Sequence, residues 1–163
     1  MGNKIYVMIG ALIFFAIAGI WIFSDVYQTA RAGKTANYDN IRQVALDKAE
    51  FSSVEKIDSF YGKEEYYIVH GKKNGENVVA WVPEDTKKKI VVKKQSSGVS
   101  SEEVLSKLKQ ERNPKKIVNI QLGISEKDGL LWEVKYIDTK DRLTYYYVTF
   151  EDGTFIKRFS ITN

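Results

Sequence analysis

The sequence predicts an α+β protein, with an N-terminal transmembrane helix followed by two small domains, each a helix packed on an antiparallel sheet. Three observations carry this. Ile5 to Phe23 form one uncharged apolar run. Behind it, apolar residues pass from helical spacing to short extended runs punctuated by Asn-Gly and Asp-Gly turns. That order, helix and then strands, is written twice.

The first element is IYVMIGALIFFAIAGIWIF, Ile5 to Phe23. As a helix it spans about 28 Å, close to the hydrocarbon thickness of a bilayer. Tyr6 and Trp21 stand near its ends, where amphipathic rings favour the headgroup level. A cleaved signal peptide fits less well. Ala16-Ile17-Ala18 lies inside the apolar run, and Ala30-Arg31-Ala32 lies far beyond it. The expected organisation is an uncleaved anchor over 1–23, a stalk over 24–35, a first domain over 36–95 and a second over 96–163. Flanking charges do not fix the orientation. A short head before a long hydrophilic body is the build of a signal anchor whose body lies outside the cytoplasm.

In the first domain Ile41, Val44, Ala45 and Ala49 recur at helical spacing. VEKIDSFYG (54–62), YYIVHG (66–71), VVAWV (78–82) and KKIVVKK (88–94) then read as strands, with Asn74-Gly75 as a hairpin turn. QSSGVSSEE (95–103) breaks the pattern. There Ser100 and Glu103 have the spacing of a capping box, ahead of the apolar stripe Val104, Leu105 and Leu108. Asn113-Pro114 ends that helix. IVNIQLGI (117–124), LLWEVKYI (130–137), LTYYYVTF (143–150) and TFIKRF (154–159) complete the second set of strands. Tyr67 matches Trp132 at an offset of 65, and Val82 matches Val148 at an offset of 66.

Composition narrows the function. Lys and Arg number 25 against 21 acids, a formal charge of +4. This favours anionic surfaces in general and falls short of a nucleic-acid footprint, so no nucleic-acid partner is expected. There is no cysteine, which excludes disulfides and thiol chemistry. His70 is the single histidine, and no G-x-S-x-G elbow accompanies it as a nucleophile. A zinc site would have one imidazole to use. The carboxylate pairs Glu64-Glu65 and Glu84-Asp85 lie beside turns, where solvated acids belong. No phosphate loop or EF-hand pattern occurs. The expectation is a protein that is not an enzyme, with no catalytic residues, cofactor or metal.

Candidate contact residues remain. In LTYYYVTF the alternation sends Tyr146, Val148 and Phe150 to a core face and Tyr145 and Tyr147 to the open side of the sheet. Cross-strand packing alone accounts for tyrosines there and is the first reading, with a partner platform as the second. Trp81 and Pro83, at a strand end, are candidate partner residues. Lys87, Lys88 and Lys89, with Lys93 and Lys94, either guard an edge strand or meet anionic wall polymers, lipid heads or an acidic patch.

The segment WEVKYIDTKDRLTYYYVTFEDGTFIKRF resembles a PepSY-type meander. The anchor, KIDSFYGKEEYYIVHG, the tryptophan and proline of VVAWVP, and GVSSEE resemble, in that order and over essentially the whole chain, the TseB-like (YpmB-like) cell-wall elongation regulators of Gram-positive bacteria. The resemblance implies a single-pass membrane protein with two cystatin-like or PepSY-like domains outside the cell. It also implies association with a penicillin-binding transpeptidase that builds the lateral wall, and it carries over no catalytic residue. The other reading of the PepSY-like units is an inhibitor of an extracellular peptidase.

Overall fold

Helical spacing around Ile41 and the strand-period runs after it become a helix and two sheets in the computed structural model, which describes residues 37–161 apart from residue 86. The expected anchor and stalk lie outside the described residues. Among the described residues no helix is long and apolar enough to cross a membrane. Helix α1 runs over 37–47. Antiparallel strands β1 (Ser53–Tyr61), β2 (Glu65–Lys73), β3 (Glu76–Pro83) and β4 (Val91–Lys94) form the first sheet in chain order. A 3-10 turn, Gln95–Ser97, leads to helix α2 (Ser101–Arg112). Strands β5 (Lys116–Ser125), β6 (Gly129–Ile137), β7 (Leu143–Thr149) and β8 (Phe155–Ile161) form the second sheet, also in chain order.

Local chemistry sets the boundaries. Asn74 and Gly75 both take positive φ, 52° and 80°, which gives the β2–β3 hairpin a turn matching strand twist. Ser100 caps α2 as its spacing predicts: its Oγ accepts from the Glu103 amide at 3.2 Å, and the Glu103 carboxylate accepts from the Ser100 amide at 2.8 Å. Asn113, in the left-handed region at φ 46°, ends the helix ahead of Pro114.

The repeat read from spacing recurs in the register of the strands. Tyr67 pairs with Val82 in the first sheet, and Trp132 pairs with Val148 in the second. Both edge strands β1 and β5 carry a bulge, one opposite Gly71 and His70, the other opposite Tyr136 and Lys135.

Each sheet buries one face under its own half. Ile41, Val44 and Ala45 of α1 are buried, as are Val69, Val78, Ala80 and Val82, and Arg42 donates to the Val54 carbonyl at 3.1 Å. Val104 and Leu108 of α2 pack on Val134, Tyr136, Tyr146 and Val148. The two halves are not separately cored, however. Phe60, Ile68, Val79 and Trp81 from the first sheet join Leu122, Leu130, Leu131 and Phe150 from the second in one buried cluster. From Ile41 onward the chain is a single compact unit. Trp81 stands edge-on to Phe150, with ring centroids 5.3 Å apart, and donates its indole N–H to the Gly123 carbonyl at 2.9 Å. A Cβ at Gly123 would lie 2.4 Å from the Phe60 ring, so only glycine admits this approach.

That shared core corrects the sequence reading of Trp81 and Pro83. Trp81 is 0% exposed and Pro83 is buried, so neither offers a free surface in this fold. Almost every residue of β3 from Val78 is apolar because the strand is covered on both faces.

Candidate functional site

The face of the second sheet turned away from α2 is both shaped and partly open. Alternation puts Gln121 (β5), Glu133 (β6), Tyr147 (β7) and Lys157 (β8) side by side on one cross-strand rung. The next rung on the same face is Asn119, Lys135, Tyr145 and Phe159. Tyr145 and Tyr147 are half-buried here, whereas Tyr146, Val148 and Phe150 are buried, as the alternation predicts.

Glu133 organises the first rung. It is only 6% exposed, and its carboxylate accepts from the Tyr147 hydroxyl at 2.6 Å and the Gln121 amide at 2.9 Å, with the Lys135 ammonium at 3.2 Å. A buried carboxylate with three such partners is compensated. Burial, followed by the hydrogen bond to Glu133, pushes the Tyr147 hydroxyl well above the usual tyrosine range, so it stays a neutral donor. The aromatic rings form a cross-strand stack: Tyr145 lies on Phe159 at 4.9 Å and 9°, and Tyr147 lies near it at 6.0 Å and 21°. Lys135 and Lys157 stand over the Tyr145 and Tyr147 rings at 5.3 and 5.1 Å.

This face forms one wall of a cleft of about 510 Å³. The opposite wall is the end of the β1–β2 hairpin, from Phe60 to Tyr66, and residues 124–127 of the β5–β6 turn close one side. Lys63 and Glu126 bridge its mouth at 2.8 Å. Tyr61, 70% exposed, stands at the rim. The volume falls within the range of ligand-sized clefts.

Lys87, Lys88 and Lys89 are exposed on the β3–β4 connection. An ion pair between Lys88 and Glu64 holds that connection beside the same β1–β2 hairpin end. The structure therefore gathers Tyr147 and the Glu64 partner of Lys88 around one cleft, while Trp81 belongs to the core and Pro83 is buried at the end of β3. Sequence reasoning did not single out Glu133, Lys157, Phe159 or Tyr61. An acid inside an otherwise apolar and aromatic strand was the signal for Glu133. His70 lies 3.7 Å from Asp58, and burial lowers its pKa below the ordinary histidine value despite that carboxylate. Among the described residues no three His, Asp or Glu side chains stand together as a metal-binding set.

Similarity to known proteins runs along nearly the whole chain. Residues 42–83 match the family described as "Cell wall elongation regulator TseB-like domain". The chain is 31% identical over 154 residues to the "Probable cell wall elongation regulator TseB" of Bacillus subtilis (strain 168), covering 94% of each sequence. Among solved structures it resembles the YpmB protein from Bacillus subtilis, with a TM-score of 0.65 and 33% identity, over 72% of this chain and 94% of that one. The chain belongs to the family of TseB-like cell wall elongation regulators.

Proposed function

We propose that the chain is a membrane-anchored, extracytoplasmic binding module, not an enzyme, that regulates peptidoglycan elongation through contact with a penicillin-binding transpeptidase. The observation that carries this reading is the likeness over 94% of both sequences to a protein named as a cell wall elongation regulator. The apolar run Ile5 to Phe23 supports the anchor. Tethering two proteins to one membrane raises their effective concentration, so a modest contact surface suffices for occupancy. The open face around Tyr145 and Tyr147 and the lysines Lys87, Lys88 and Lys89 are the surfaces this reading uses. The same lysines suit anionic wall polymers.

Photo-crosslinking in living cells tests the reading, with the reactive residue at Tyr145, Lys87 or Lys89 in turn and captured proteins identified by mass spectrometry. Capture of a penicillin-binding transpeptidase from neighbouring positions is the expected result. Capture of cytoplasmic proteins alone overturns the topology. Capture of an extracellular peptidase replaces the regulator with the inhibitor.

A further inference from the structure

Four strands end the two sheets: β1, β4, β5 and β8. A sheet edge offers unpaired backbone N–H and C=O groups to any extended chain that reaches it, and folds usually blunt such edges. β4 is only four residues long, and its Lys93 and Lys94 stand by Glu151 and Glu76 at 4.0 and 2.8 Å. β1 is bulged, and its Lys56 pairs with Asp58 at 2.8 Å. β5 is bulged between Ile117 and Asn119.

β8 differs. Like β1 and β5 it is bulged near its start, between Phe155 and Lys157, and keeps an unbroken register from there to Ile161; what sets it apart is the side chains it carries. Of the five large hydrophobic side chains that are exposed among the described residues, three sit on it: Phe155, Phe159 and Ile161, each 47% exposed. Its two cations are poorly neutralised. Lys157 has Asp128 at 3.5 Å, and Arg158 has no acidic partner among the described residues.

We infer that β8 is a docking edge that takes an extended, acidic segment of a partner protein as a fifth strand of the second sheet. The ladders across the sheet specify the chemistry of that segment. The rung Gln121, Glu133, Tyr147, Lys157 ends on a cation, so the incoming residue beside Lys157 is an acid. The rung Asn119, Lys135, Tyr145, Phe159 ends on an exposed ring stacked on its neighbour, so the incoming residue there is aromatic or aliphatic. Arg158, between them on the opposite face, takes a second acid. Main-chain hydrogen bonds supply affinity in such an arrangement, and alternate side chains supply selectivity. A second copy of this chain is a poor occupant. Antiparallel self-pairing centred on Arg158 would set Arg158 against Arg158. The inference rests on the reading of the chain as a binding module and deepens it by naming what the partner presents.

The test uses the purified full-length chain in detergent and two fluorescent peptides, Ile-Thr-Phe-Glu-Glu-Val-Thr and its counterpart with Lys in place of both Glu. The acidic peptide is expected to bind at least tenfold more tightly by anisotropy, to weaken with salt, and to slow amide exchange in Phe155–Ile161. Charge reversal by Lys157→Glu and Arg158→Glu together is expected to invert the preference, which also shows that the variant is folded. Equal binding of the two peptides, binding of neither, protection confined to residues 60–66, or a dimer joined through β8 would each overturn the inference. If the peptides fail while a transpeptidase is still crosslinked in cells, only the edge assignment falls. If the acidic peptide docks on β8 and no transpeptidase is captured, only the named partner falls.

Discussion

Trp81 and Tyr147 occupy the same place in the two halves of the molecule, yet one is sealed in the core and the other is half-buried beside a cleft. Trp81 lies on the rung Asp58, Ile68, Trp81, Val91, and Tyr147 lies on the rung Gln121, Glu133, Tyr147, Lys157. The first is apolar from Ile68 onward because the second half covers it. The second carries an acid, a phenol and an amine because it faces a cleft. A repeated unit thus commits one copy of a face to the core that fuses the halves and leaves much of the other lining a cleft. The architecture is shared, and the difference lies in what each face meets.

The comparison breaks first at Trp81. Trp81→Ala removes a fully buried indole and its hydrogen bond to Gly123, at a cost of about 3–5 kcal/mol. Because the core is shared, both sheets should lose amide protection together in denaturant. Loss confined to β1–β4 would show two independent domains. Gly123→Ala comes next, at about 1–3 kcal/mol, since the added methyl meets the Phe60 ring; thermal unfolding followed by circular dichroism reads it. Tyr147→Phe, at the position equivalent to Trp81, should cost only about 1 kcal/mol, because it removes one hydrogen bond to Glu133 and keeps the ring stack. A loss as large as that of Trp81→Ala would mean that the open face is also core.

The smallest effect concerns His70, whose counterpart in the second sheet is Lys135. Burial holds the folded His70 pKa below the ordinary value, with Asp58 and Glu55 opposing and Lys56 adding to the shift. The unfolded chain therefore binds the proton first as pH falls. Stability is full above the unfolded value of about 6.5 and declines as pH falls through the folded pKa. His70→Gln should flatten the stability profile in that interval, measured by denaturant titration at several pH values, and an unchanged slope would assign it to other groups.

Much of this was legible because it is local. The Ser100–Glu103 box, the Asn74-Gly75 turn and the alternation through Tyr145 to Phe150 depend on neighbours in sequence, and spacing reports neighbours. Trp81 was misplaced because its burial depends on Leu122 to Phe150, far along the chain. The unbroken apolar run VVAWV hinted at a strand covered twice, but not at what covers it. The cleft was invisible for the same reason: Tyr61 and Tyr147 meet at it only once the halves are joined.

The bond from Trp81 to Gly123 spans 42 positions of the chain, and this matters for a polypeptide delivered amino end first. While the ribosome still holds the second half, the first sheet is complete in its local hairpins but bare over Phe60, Ile68, Val79 and Trp81. That interval lasts until Phe150 emerges, which takes several seconds at ordinary rates of synthesis. The nascent chain therefore carries a sticky patch through its own synthesis, and a holding chaperone has a defined time and place to act.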